Sequence, residues 1–506
     1  MTRSPHGVIL FNPRSAEHKH RIPNSILQVA ASIQNDRSFA LVDGNRERDP
    51  WSTIRDHLAS GRYRYFGTTV MPGPQLRQAV PFAHRAKQEF PEVTTIWGGY
   101  FAANQHRTVL SSGVVDFVID GPGDEAFPAL LACLDRGKDP VDVPNLIWTN
   151  AEAIIRNRKA ALPDMDELAA LPYAALDEVY PLHQYLGRTF MGERTLAYHS
   201  SFGCPFTCSF CAVVPIYKAR WKGVSAERIA KDVKYVKDHW GADAIEFHDN
   251  NFFVSEKRSV AFSELIMDEG MGWWGEGRID TLDRYSDDSL RIMRNAGCRM
   301  IFFGAESGDD EELARMDKGG TQSGEQILRF AARMAEFDII PEYSFVLGFP
   351  ASSEKEVLDR IDRDISFIRR VKEVNPATEI IIYVYSPVPT EGSELFDRVK
   401  QAGFHFPDKL TDWLDPVWEN FDLRKNPLTP WLTHRAIDRI RDFETVLNGM
   451  YPTVSDIKLD QRKRRMLQQI SRFRYRRGAY SRPYEIKLLQ KLWRYRRPET
   501  EGFEML

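Results

Sequence analysis

The chain has 506 residues, 42% of them hydrophobic and 27% charged, with a formal net charge of −3, a globular composition that excludes a disordered or fibrous protein. Five cysteines are too few for a disulfide scaffold, and apolar runs such as 380–385 fall far short of the roughly 20 residues a membrane span needs. At about 150 residues per domain the length points to about three domains. Residues 1–13 hold no apolar core of a secretory leader, so the expected location is the cytoplasm.

Residues 1–135 alternate short apolar runs with amphipathic stretches. Strands are predicted at Val8–Phe11, Phe39–Asp43, Tyr65–Met71, Thr94–Trp97 and Val114–Asp120, with helical patterns after each. Five strand–helix units predict a parallel sheet covered on both faces, which binds ligands at the carboxyl ends of its strands. Gly98 and Gly99 stand at such an end, where a missing Cβ lets a bulky ligand approach. A glycine pair also serves plain turns.

Residues 136–190 lose this rhythm. Pro140, Pro144, Pro163, Pro172 and Pro181 punctuate them, so a linker or small subdomain is expected, with one strand at Asn145–Thr149. Over 191–401 the alternation returns, with strands predicted at Leu196–His199, Ala244–His248, Trp273–Ile279, Met300–Phe303, Glu342–Leu347 and Glu379–Tyr385. Six such units make a parallel layer or a partial barrel, whose working groups lie on the loops after the strands. The remainder, 402–506, carries Trp413, Trp418, Trp431 and Trp493 and ends in basic, helical sequence.

Three of the five cysteines, Cys204, Cys208 and Cys211, fall within eight residues after the first strand of this layer. Thiolates so spaced on one loop can hold a metal or a cluster. With three ligands, a 4Fe–4S cluster keeps one iron open to a small molecule. Zinc would need a fourth ligand, which His199 could supply. Cys133 and Cys298 sit in apolar settings that suit core packing.

The spacing CxxxCxxC, with Phe210 before the last cysteine, resembles the radical SAM superfamily, and further segments agree in order over about 190–400. These are Arg220–Glu227 leading into the first helix, Phe247–Phe252 after the second strand, and Arg278 with Asp280 after the third. Gly304–Gly308 follows the fourth, Leu347–Pro350 the fifth and Ser386–Gly392 the sixth. The resemblance implies a 4Fe–4S cluster on the three cysteines whose open iron chelates S-adenosyl-L-methionine. One electron then cleaves that molecule to methionine and a 5′-deoxyadenosyl radical. It also implies that Phe210 packs beside adenine and that Asp249, Arg278 and Glu306 position the cofactor. Plain structural roles stand beside these: a turn or helix cap for Asp249, an ion pair with Asp280 or Glu276 for Arg278, and a strand histidine for His248.

A parallel-sheet domain ahead of such a barrel resembles the cobalamin-dependent radical SAM group, which includes methyltransferases and the anaerobic Mg-protoporphyrin ester cyclase. The likeness rests on Asn12-Pro13, Asp43-Gly44-Asn45, Thr68-Thr69, Gly98-Gly99 and Gly121–Glu125, one motif after each front strand. It implies an α/β chain: a flavodoxin-like, Rossmann-type cobalamin-binding domain, a partial (β/α)6 barrel and a mainly helical, basic C-terminal extension. Thr69, Gly98 and Gly99 would accommodate the corrin. The cobalt-ligating DxHxxG motif is absent, and His18 and His20 lack its spacing. That departure fits cobalamin held without a histidine, as relatives in this group hold it, and equally a front sheet kept only as scaffold. The expected reaction is methyl transfer to an unactivated carbon, with cyclisation or ring rearrangement as the alternative. No general acid or base is assigned, and a flavodoxin or ferredoxin would supply the electron. A cobalamin or Fe–S sensor that binds nucleic acid is the reading from another class.

Residues 458–497 carry 15 Lys/Arg against Asp460 and Glu485, a local +13 that leaves −16 on the rest. Basic residues interleaved with Phe473, Tyr475, Tyr480, Trp493 and Tyr495 suit an anionic ligand or a membrane surface, or simply a charged helix over an acidic body. A small-molecule or lipid-linked substrate is expected. Nucleic acid is not, since no RNA-binding module accompanies the segment.

Overall fold

The structure is a computed structural model that describes residues 6–15, 21–151, 153–318, 322–388, 394–422 and 428–495. His18, His20, the end of the sixth strand motif (389–392), Arg496 and Arg497 lie outside the described residues.

The front sheet begins with β1 (Gly7–Asn12), β2 (Phe39–Asp43), β3 (Tyr63–Thr69), β4 (Thr94–Gly98) and β5 (Phe117–Ile119). These five are parallel in the order β2-β1-β3-β4-β5, the flavodoxin-like arrangement. Alternate residues of β1 feed two cores: Val8 and Leu10 meet the helices Asn24–Ile33 and Gly123–Asp135, while Ile9 and Phe11 meet Pro50–Ala59 and Leu76–Glu89. Burial on both faces is why these strands read as unbroken apolar runs. The sheet then continues into the 136–190 segment. There β6 (Leu146–Asn150) pairs antiparallel with β5, and β7 (Ala153–Arg156) pairs antiparallel with β6. The proline-punctuated stretch is therefore in part sheet edge.

The second layer starts with β8 (Thr195–Tyr198), followed by a small ribbon of β9 (Ser201–Gly203) and β10 (Trp221–Gly223) around the cysteine loop. It continues with β11 (Ala244–Phe247), β12 (Gly272–Gly277), β13 (Cys298–Glu306), β14 (Ile340–Leu347) and β15 (Glu379–Val384). The order is β8-β11-β12-β13-β14-β15, all parallel, six strands with edges at β8 and β15. Each of the five main helices between them starts at a serine, Ser225, Ser255, Ser286, Ser323 or Ser353, whose side chain accepts a bond from a first-turn backbone N–H. One turn chemistry thus fixes where each of these five helices begins.

The C-terminal region joins the two layers. Trp413 packs edge-on against Phe101 at 5.0 Å between centroids, and Glu419 pairs with Arg77, so this stretch lies on the front layer. The helix His434–Met450 then returns to the second layer beside β15 and the helix Glu354–Val374. Direct contacts also tie the layers: Arg21 to Glu246 at 2.9 Å, Asn24 to the Ala197 carbonyl at 3.0 Å, and Lys159 to the Ile216 carbonyl at 3.0 Å. Among the described residues no helix is long and apolar enough to cross a membrane.

Candidate active site

The loop carrying Cys204, Cys208 and Cys211 is pinned on the side facing β13. The Ser209 N–H donates to the Met316 carbonyl at 3.0 Å, the Ser209 hydroxyl to the Arg315 carbonyl at 3.0 Å, and the Thr207 hydroxyl to Asp317. The three thiols are electrostatic neighbours, and none is in a disulfide. Burial pushes the Cys211 thiol up to about 12, with Cys208, Cys204 and Glu306 adding to it, and burial also raises Cys204. A buried thiol ligates a metal only once deprotonated, so this donor set suits a positively charged partner. Among the described residues no three His, Cys, Asp or Glu side chains surround one point as ligands of a single ion. A cluster with each thiolate on its own iron does not require that convergence.

Arg278, just past β12, reaches the loop directly. Its Nη1 donates to the Cys208 sulfur at 3.1 Å, its Nε and Nη2 hold Asp280 at 2.9 and 2.8 Å, and its guanidinium stacks 3.9 Å above the Phe206 ring. Arg278 is 7% exposed, so the Asp280 pairing is buried rather than on a solvated rim.

Glu306 ends β13 in the left-handed region, at φ +62. Its Oε1 accepts from Lys318 at 2.8 Å, and the same ammonium donates to the Gly304 carbonyl at 2.7 Å and lies 5.7 Å from the Phe210 ring centre. Lys318, at 3% exposure, carries no motif in the sequence and was not expected. Asp249 is also buried. Its Oδ1 accepts from the Ser200 N–H at 3.1 Å, the Ser200 hydroxyl at 2.9 Å and the Ser201 hydroxyl. Its carboxylate is drawn into the turn between β8 and β9.

Below these groups the inner face of the sheet is polar. Trp274 donates to Glu342 at 2.9 Å, Glu246 pairs with Arg21, and the His199 and His248 rings stand 6.2 Å apart. Burial pulls His199 down, toward the neutral ring, and pushes Glu276 up to about 7. Side chains on a strand alternate between faces, so Trp273 packs outward among Phe247, Phe253 and Phe262 while Trp274 turns in.

Residues 198–363 match the model of the radical SAM superfamily. Residues 198–363 are a radical SAM domain. That domain implies a 4Fe–4S cluster and S-adenosyl-L-methionine, and the three neighbouring thiols, Cys208 buried beside a guanidinium and the other two partly buried, fit the cluster.

The chain is 24% identical to an uncharacterized methyltransferase of Pyrococcus horikoshii, over 66% of this chain and 71% of that protein. It is also 24% identical to an anaerobic magnesium-protoporphyrin IX monomethyl ester cyclase of Rubrivivax gelatinosus, over 78% of this chain and 66% of the cyclase. Among solved structures, the cobalamin-dependent S-adenosylmethionine radical enzyme OxsB with aqua-cobalamin bound superposes with a TM-score of 0.68 at 15% identity. That superposition covers 97% of this chain and 75% of OxsB. The two-layer fold is therefore shared with OxsB.

The front layer has its own opening. β1 lies between β2 and β3, so the loops after β1 and β3 diverge at the switch point where such sheets bind ligands. A Cβ on Gly98 would meet nothing within 4 Å, whereas one on Gly99, at φ +88, would stand 2.9 Å from the Val70 backbone and 3.1 Å from the Thr69 hydroxyl. Gly99 is thus required by the chain itself, and Gly98 leaves free space at the strand end.

Proposed function

We propose that the protein is a cobalamin-dependent radical SAM methyltransferase that methylates an unactivated carbon. The observation that carries this reading is the meeting of two strand-end segments in one chain: Asn104, in the short helix after Gly98 and Gly99 on a sheet of flavodoxin-like order, donates to the carbonyl of Ala212, next to Cys211, at 3.3 Å. When bound, the cluster supplies the electron that cleaves S-adenosylmethionine to methionine and a 5′-deoxyadenosyl radical, and cobalamin supplies the methyl group. Cys204, Cys208 and Cys211 would hold the cluster. Arg278 donates to one ligand sulfur and is itself oriented by Asp280. Phe210, with the Glu306–Lys318 pair behind it, would form the wall against the adenosyl group, and Asp249 keeps the β8–β9 turn in place. Thr69, Gly98 and Gly99 would form the corrin edge. The polar inner face, with Glu276 and His248, would receive the polar groups of a small-molecule or lipid-linked substrate.

A flavodoxin or ferredoxin would deliver the electron, and an oxygen-sensitive cluster would suit the reducing cytoplasm. The similarity to the cyclase over 78% of this chain supports a second reading, cyclisation or rearrangement without methyl transfer. Product analysis under anaerobic turnover separates the two. Methyl transfer gives 5′-deoxyadenosine together with S-adenosylhomocysteine, and cyclisation gives 5′-deoxyadenosine alone.

A further inference from the structure

Exposed apolar side chains are concentrated at the C-terminal end. Of the 15 large hydrophobic residues exposed among the described residues, seven lie between Val454 and Leu492, including the three most exposed, Phe473 and Tyr484 at 67% and Leu492 at 65%. Scattered surface hydrophobics are ordinary, but a contiguous group marks an interaction site.

Five of the seven lie on two helices that pack side by side. The helices Gln461–Arg477 and Tyr484–Trp493 both pack on His434–Met450. Leu467, Ser471 and Tyr475 of the first and Ile486 of the second are buried. A Cβ on Gly449 would touch both Ser471 and Ile486, so the two helices lie side by side across that glycine. Arg474 pairs with Glu485 between them. Each helix therefore turns its other face away from the protein. On the first, Arg462, Arg465, Met466, Arg472, Phe473 and Arg476 follow helical spacing along that face, all exposed. On the second, Tyr484, Leu488 and Leu492 form an i, i+4, i+8 stripe with Lys491 alongside.

Charge decides what suits this face. The only acids in 458–495, Asp460 and Glu485, are taken by Lys463 and Arg474. Arg462, Arg465, Arg472 and Arg476 have no carboxylate partner among the described residues. An apolar stripe set in unneutralised guanidinium groups matches the boundary of an anionic bilayer, where phosphates meet acyl chains. Single-stranded nucleic acid offers bases to stack on aromatic rings, and aliphatic Met466, Leu488 and Leu492 have no use there. We infer that these two helices form a peripheral membrane-binding face that lies on, and does not cross, an anionic lipid surface. This inference does not depend on the chemistry assigned to the barrel.

The test is co-sedimentation of the full chain with vesicles of phosphatidylcholine alone or with about one-third phosphatidylglycerol. Binding is expected with the anionic vesicles and at least roughly tenfold weaker with the neutral ones. Leu488→Glu/Leu492→Glu and Arg472→Glu/Arg476→Glu should each weaken it at least roughly tenfold with an unchanged thermal midpoint, because all four side chains are exposed. No binding to anionic vesicles, or equal binding by wild type and both variants, would overturn the inference. So would a single-stranded RNA that displaces the vesicles and is itself lost in the same variants.

Discussion

Arg278 and Cys208 are joined by an N–H···S bond of 3.1 Å, and the remaining edge of the guanidinium is locked by Asp280. For a cluster held on this sulfur, a positive charge and a donor to it would both favour the reduced form, since net charge and hydrogen bonds to sulfur set the potential. Arg278→Lys keeps a charge beside Asp280 and removes the planar fork that reaches sulfur. The variant is expected to bind a full complement of iron with a lower midpoint potential in an EPR-monitored redox titration. An unchanged potential would leave Arg278 a packing role only.

The Glu306–Lys318 pair is buried on both sides, at 5% and 3% exposure. Removing one partner leaves the other charge uncompensated, which costs about 3–5 kcal/mol. Glu306→Gln and Lys318→Met should each lower the thermal midpoint sharply. The double variant should lose much less than the two singles together, which a double-mutant cycle measures directly. Additive losses would mean that the two side chains act separately.

Asp364 lies under the β13 strand end, where it accepts from the Ser307 hydroxyl at 2.7 Å, and burial pushes it up to about 7. A carboxyl raised on folding stabilises below its unfolded value of about 4 and loses that contribution as pH rises through about 7. Asp364→Asn cannot titrate. The variant should therefore gain on wild type between pH 5 and 8, by on the order of a few kcal/mol in thermal or denaturant unfolding. A constant difference across that range would show that Asp364 does not titrate there.

The two glycines after β4 should part company. Gly99→Ala brings a Cβ against the Val70 backbone at a positive φ, so the front layer should be destabilised. Gly98→Phe enters open space and should leave the thermal midpoint near wild type while abolishing cobalamin uptake, read from the visible absorption of the reconstituted protein. Retained uptake would move the corrin away from this edge.

Much of this molecule is legible in its sequence because the dominant signals are local. Parallel strands buried on both faces are unbroken apolar runs, as at Val8–Phe11, and a serine stands at the start of each main barrel helix. The cysteine loop is legible because three cysteines share eight residues. Short or long-range features are not. β9 and β10 are three residues each and exist only by pairing with one another. β7 is a four-residue edge strand that follows a tight reversal from β6. Lys318 meets Glu306 across twelve positions without a motif, and Trp413 reaches Phe101 across three hundred. Asp249 was expected beside a ligand or in a cap; the pairing that occupies it, with Ser200 and Ser201, depends on β8 and β11 lying next to each other.

Iron content per chain after anaerobic purification, for wild type and for Cys204→Ala/Cys208→Ala/Cys211→Ala, with 5′-deoxyadenosine assayed in the same samples, tests whether the three cysteines hold a cluster that cleaves S-adenosylmethionine. Wild type should hold about four irons and release 5′-deoxyadenosine from S-adenosylmethionine on reduction, and the triple variant should do neither. Zinc in place of iron, or a full cluster and nucleoside release in the triple variant, would contradict that assignment.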